Sequence, residues 1–180
     1  MNSASLRMND ARPKIVSDNA LLKRVRRLIV FFVVGLVLSG LTAFPLLVEA
    51  RLLRQYFGAG TVVGQAMPAL AVWLEKVYVG LRDTSERHPF LFYGTDWLAF
   101  AHLVIAVAFL GPFRDPVRNR WVIQFGMIAC ALVIPLAIIA GSVRGIPLFW
   151  RIIDCSFGVV GFVPLWFADR AVARLTLTEK

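Results

Sequence analysis

Residues 28–48 read LIVFFVVGLVLSGLTAFPLLV, an unbroken run without one charged side chain. A helix rises about 1.5 Å per residue, so crossing the roughly 30 Å of bilayer hydrocarbon takes about 20 residues. Three further stretches meet that requirement. Residues 97–113, WLAFAHLVIAVAFLGPF, extend backwards to Tyr93 and predict a span over 93–113. Residues 121–141, WVIQFGMIACALVIPLAIIAG, predict a third. Residues 146–168, IPLFWRIIDCSFGVVGFVPLWFA, predict a fourth, with Arg151 and Asp154 inside it. In lipid only helices and closed barrels satisfy their own backbones, and these continuous runs lack a barrel's alternation. The predicted fold is an all-α integral membrane protein, with four transmembrane helices in one bundle.

Composition agrees. The 180 residues are 58% hydrophobic and 17% charged, with mean hydropathy +0.70. Soluble domains carry about 45–50% and 25%, and a small globule cannot hide the excess. Disordered, fibrous and disulfide-rich secreted classes are excluded. The net charge of +9 is unevenly placed. Residues 1–27 hold Arg7, Arg12, Lys14, Lys23, Arg24, Arg26 and Arg27. The 113–120 loop adds Arg114, Arg118 and Arg120, and the 169–180 tail adds Arg170, Arg174 and Lys180. The opposite side holds only Arg51, Arg54, Lys76, Arg82, Arg87 and Arg144. Lys/Arg excess marks the cytoplasmic face, so both termini are expected in the cytoplasm of a bacterial cell, in its cytoplasmic (inner) membrane. The first run exceeds the 7–15 residues of a signal peptide core and lacks a small-x-small closure, so it reads as a retained span. Anionic lipid is the expected partner of the basic rim LLKRVRR. Without aromatic interleaving or a motif, nucleic acid is not.

Between the first two spans, residues 49–92 form the external segment. EARLLRQYF (49–57) reads as a continuation of the first helix, and GAGTVVGQAMP (58–68) as a loop. From Pro68, PALAVWLEKVYVGLRDTSERH places Leu70, Trp73, Val77 and Leu81 on one stripe. Too charged to span, it predicts an amphipathic helix lying in the interface, ended by His88-Pro89. Residues 1–20 carry no apolar period. The pairs Gly35/Ser39, Gly126/Cys130 and Ala137/Gly141 suit close helix approach. They serve internal packing and self-association alike, which leaves a homo-oligomer or a larger membrane complex open.

Ionisable groups at membrane depth are functional candidates by default. They are Glu49, Asp96, His102, Arg151 and Asp154, supported by Thr42, Tyr93 and Arg144. At 1.5 Å per residue, His102 lies about 9 Å below Asp96, Asp154 about 10 Å below Pro147, and Thr42 about 10 Å below Glu49. Three helices then present polar groups at one depth, which predicts a polar cavity in the outer half of the bundle. Each has a structural alternative. Arg151 and Asp154 can pair three residues apart, His102 can be a satisfied interior histidine, and Asp96 can cap the second helix. No cofactor is predicted. Haem would need a second facing histidine, and no metal-ligand spacing exists. Phosphate-loop, nucleophile-elbow and zincin motifs are absent. Cys130 and Cys155 read as inert thiols. The expected function is that of a non-enzymatic accessory or ligand-binding membrane protein. The alternative is a small proton-coupled transporter or membrane-embedded enzyme using His102, Arg151 and Asp154.

Overall fold

Proline sets most of the helix boundaries, because it lacks the N–H the ladder needs and bars its predecessor from the α region. The computed structural model describes residues 3–178, with side chains from 19 to 177. Among these residues every element is helical. Helix α1, Ser3–Ala43, ends just before Phe44-Pro45. Helix α2, Leu46–Phe57, starts afresh, with the Val48 and Glu49 N–H groups donating to the Pro45 carbonyl at 2.8 and 3.0 Å. The run 28–48 is therefore not one helix, and residues 49–57 do not continue it: Pro45 interrupts both. At its other end α1 reaches back to Ser3, beyond the loss of apolar period, in a stretch rich in the helix formers Ala, Leu, Arg, Met and Lys.

Helix α3 (Val62–Ala66) is capped by Thr61, whose Oγ1 accepts from the Gly64 N–H at 3.0 Å. Helix α4 occupies Pro68–Arg87 and stops at His88-Pro89 as predicted. Its fully buried residues are Ala71 and Leu74, flanked by half-buried Leu70, Trp73, Val77 and Leu81. The buried face is thus centred one residue from the predicted stripe. The chain continues through a 3-10 turn, Pro89–Phe92, into α5, Tyr93–Ala108. Asp96 lies inside the first turn of α5, so the helix begins ahead of the cap predicted there. The second run is broken at Phe109. Pro112 has no N–H for the Ala108 carbonyl, and the short α6 (Leu110–Arg114) follows.

Helices α7, Arg120–Val143, and α8, Leu148–Thr178, continue through Pro135 and Pro164. At the end of α7 the Ile146 N–H bonds the Gly141 carbonyl at 2.9 Å and the Gly145 N–H bonds that of Ser142 at 3.1 Å. This double closure needs a left-handed residue, and Gly145 supplies it with φ +66°. Helix α8 absorbs most of the segment 169–180 predicted as a tail, because Ala171, Val172 and Leu175 form one more buried stripe; residues 179–180 lie outside the described range.

Among the described residues four stretches are long and apolar enough to cross a membrane: Asn19–Ala43, Pro89–Arg114, Arg120–Val143 and Leu148–Leu177. Their outward faces carry large exposed apolar side chains such as Phe31, Ile128, Ile139 and Phe157, as lipid-facing helices do. Contacts divide the chain into two compact units, Met1–Gly35 with Val107–Lys180, and Leu36–Ala106. In the first, α7 packs along α8, and Val25, Ile29, Phe109, Ile123, Leu165 and Val172 are fully buried. Phe32 and Phe109 meet with ring centres 4.8 Å apart. In the second, α2 lies on α4, joined by the Arg54–Glu75 ion pair. The end of α1 meets α5 at Gly40, where a Cβ would come 2.9 Å from the Ala99 carbonyl oxygen.

Candidate functional site

Thr42, Glu49, Tyr93, Asp96 and His102 belong to the Leu36–Ala106 unit, and Arg144, Arg151 and Asp154 to the other. Each set is described within its own unit. In the first, the turn at Pro45 changes the relation between Thr42 and Glu49. The separation of about 10 Å assumed one straight helix; instead the Thr42 hydroxyl serves the Glu49 carboxyl. The same hydroxyl lies 3.2 Å from the Ser39 carbonyl oxygen, and its single proton serves one of the two acceptors at a time. Burial pushes the Glu49 carboxyl above its ordinary range, and the Thr42 hydrogen bond only partly opposes this.

His102 is half-buried on α5, and its Nδ1 lies 2.8 Å from the Leu98 carbonyl oxygen one turn back. That carbonyl has no proton to give, so Nδ1 carries the hydrogen. The His102 Cβ packs over Gly40, 3.2 Å from where a glycine-substituting Cβ would stand. Asp96 is half-buried in the first turn of α5, where a carboxylate is favoured by the helix dipole. Tyr93 is exposed and begins an edge-on aromatic ladder with Trp97 and Phe100, centre to centre 6.0 Å at each step. Amphipathic aromatics at a span end anchor in headgroups.

In the other unit, Arg151 and Asp154 do not pair; among the described residues no ion pair joins them. Arg151 instead leans across to α7. Its guanidinium donates to Ser142 Oγ and, at 3.4 Å, to the Ile138 carbonyl. Gly141 makes the crossing feasible, since a Cβ there would lie 2.5 Å from Arg151 Cδ. Arg144 is the C-cap of α7, its N–H bonding the Ala140 carbonyl. Asp154 is half-buried and makes no hydrogen bond or ion pair among the described residues. It sits one turn before Gly158, on the stripe that faces α7.

Three features escaped the sequence reading. Arg120 grips Asp169 with two parallel bonds, Nε to Oδ1 at 2.7 Å and Nη2 to Oδ2 at 2.9 Å, while Gln124 adds a third at 3.3 Å. The charge tally uses Arg120 only toward topology. Arg26 Nε donates to the Phe113 carbonyl at 3.1 Å and Nη2 to that of Arg114 at 3.4 Å, closing the end of α6. Gly158 and Gly161 press on Cys130, where Cβ atoms would come 2.6 Å from its carbonyl oxygen and 2.8 Å from its Sγ. Of the predicted small-residue pairs, Gly126 and Gly141 lie at close contacts, whereas a Cβ at Gly35 would meet nothing within 4 Å. Cys130 and Cys155 are free thiols. Among the described residues no three His, Cys, Asp or Glu side chains converge on one point. Comparison with protein-family models, curated proteins and solved structures found no match.

Proposed function

We propose that this chain is a non-enzymatic accessory or ligand-binding protein of a bacterial cytoplasmic membrane. Both termini are cytoplasmic, α4 lies externally in the interface, and the polar groups of the outer half hold helices and receive a small ligand or a partner helix. The charge asymmetry between the two faces supports the orientation. The observation that carries the reading is the engagement of the groups best suited to chemistry. His102 is tied to its own helix through the Leu98 carbonyl, and Arg151 is tied to α7 through Ser142 and Ile138. Groups held this way stabilise packing and are poorly placed to move toward a substrate.

A second reading, a proton-coupled transporter or membrane-embedded enzyme, is favoured by one observation, the unpartnered Asp154 within an apolar helix. Proton movement separates the two. The full chain, reconstituted in vesicles with an internal pH dye under an imposed pH gradient, is expected to give no flux above empty vesicles. A flux that Asp154→Asn abolishes, with folded yield in detergent unchanged, overturns the non-enzymatic reading. Arg151→Met is expected to lower folded yield and Asp154→Asn to leave it intact.

A further inference from the structure

On the α1 face at the basic end of the first unit, Lys23 lies three and four residues before Arg26 and Arg27, and Val30 four and three after them, so they share one side of the helix. Together with Phe113 of α6 they line an open cleft of about 580 Å³. Its lining is of two kinds. Lys23, Arg26 and Arg27 supply its charge, while Val30, one turn deeper toward the apolar run, and Phe113, whose ring centre lies 6.0 Å from the Arg26 guanidinium, supply partly exposed apolar surface. Val34, exposed a further turn on, continues the apolar track.

The cations are available. Among the described residues none of the three meets a carboxylate. Arg26 commits one N–H each to the Phe113 and Arg114 carbonyls, which leaves three of its five donors. Those two bonds fix its guanidinium, set 6.0 Å from the centre of the Phe113 ring, and a fixed fork loses little freedom on meeting a phosphate. A neighbouring cleft shares Arg26 and adds Arg114 and Arg118. The one carboxylate there, Asp115, accepts the Arg118 N–H at 3.0 Å.

We propose that this cleft is a binding site for one anionic phospholipid. Its headgroup phosphate is held by Lys23, Arg26 and Arg27, and an acyl chain runs along Phe113, Val30 and Val34. The two-part lining argues for a lipid over a free phosphate, which would use only the basic part. Basic pockets beside spanning helices recognise such headgroups.

The test uses the full chain in detergent, with phosphatidylglycerol or phosphatidylcholine added, and retained lipid counted by native mass spectrometry. The chain is expected to retain one phosphatidylglycerol in preference to phosphatidylcholine. Lys23→Gln/Arg27→Gln is expected to weaken that retention about thirty-fold, from two charges at the strength of juxtamembrane basic residues. Arg26 is left in place because it closes α6. Arg51→Gln/Arg144→Gln removes equal charge elsewhere and is expected to change retention less than threefold. Lys23→Arg/Arg27→Lys, which keeps the charge, is expected to bind like the parent. Equal loss in both Gln double variants, no loss in the first, or full displacement by millimolar glycerol phosphate overturns the lipid site. None of these results bears on proton flux.

Discussion

Replacing Gly158 by alanine adds one methyl group at a close backbone contact between α7 and α8. An ideal Cβ at 158 stands 2.6 Å from the Cys130 carbonyl oxygen and 3.3 Å from Val133 Cβ. Carbon and carbonyl oxygen come no closer than about 3.3 Å even in favourable C–H···O contacts, so the helices must part locally by about 0.7 Å. The obstacle is backbone, which no rotamer change removes. A gap of that size forfeits a quarter to a half of each neighbouring dispersion contact. In lipid, packing of this kind is the main attraction between helices. Overpacking costs about 1–3 kcal/mol, while the change from glycine to alanine inside a helix returns about 0.5–1 kcal/mol. The net expectation is a loss of about 1–2 kcal/mol. Gly35→Ala is the internal reference, because its Cβ meets nothing within 4 Å and only the gain of about 0.5–1 kcal/mol remains. Unfolding in mixed micelles, titrated with sodium dodecyl sulfate and followed by circular dichroism, reads both. Opposite signs are expected. If Gly158→Ala is stabilised like Gly35→Ala, the close α7–α8 approach is refuted.

Gly126→Ala is expected to be destabilised in the same titration, since its Cβ would meet the fully buried side chains of Leu165 and Phe109, each at 2.7 Å. Asp169→Asn breaks the two-pronged bond from Arg120 and is expected to cost about 1.5–3 kcal/mol, the usual range for hydrogen bonds to charged groups. Adding Arg120→Gln should then cost little more, and a fully additive cycle would disprove the coupling. Glu49 gives a pH signature. Its carboxyl is raised in the folded chain, so the folded state binds the proton more tightly than the unfolded state. Stability should therefore fall as pH rises from the ordinary carboxyl value through the raised one, then level off. Glu49→Gln is expected to flatten that slope and Thr42→Val to extend it to higher pH; an unchanged slope in Glu49→Gln assigns the effect elsewhere.

Apolar runs and prolines were enough to place four spanning stretches, and the third, predicted over 121–141, differs from α7 by only a residue or two. The errors came from treating an apolar run as one straight rod. Hydrophobicity is blind to a break such as Pro45 or Phe109, because both sides of it are equally apolar. The depth argument joining Thr42 to Glu49 failed for that reason. Partners across helices were no more legible. Nothing in the spacing of Arg120 and Asp169, 49 residues apart, announces a bond. Small-residue spacing found Gly126 and Gly141 but also Gly35, since the pattern records what a helix permits and not which neighbour arrives.

Arg151 and Asp154 mark where spacing alone misleads about chemistry. Three residues apart on one helix, they invite pairing, yet a pair on a single helix buries two charges while joining nothing. The arginine instead crosses to α7, where a hydroxyl and a carbonyl accept from it and Gly141 leaves room for its stem. That choice ties two helices together and strands the carboxyl. Asp154 stays without a donor among the described residues. Asp154 lies on the face of α8 that meets α7, and α7 carries Pro135, whose missing N–H frees the Ala131 carbonyl. A carboxyl gives a hydrogen bond to an acceptor of this kind only as the neutral acid. A structural role for Asp154 therefore requires it protonated, and a transport role requires it to alternate. Its protonation state decides between the two functional readings more directly than anything at His102 or Arg151.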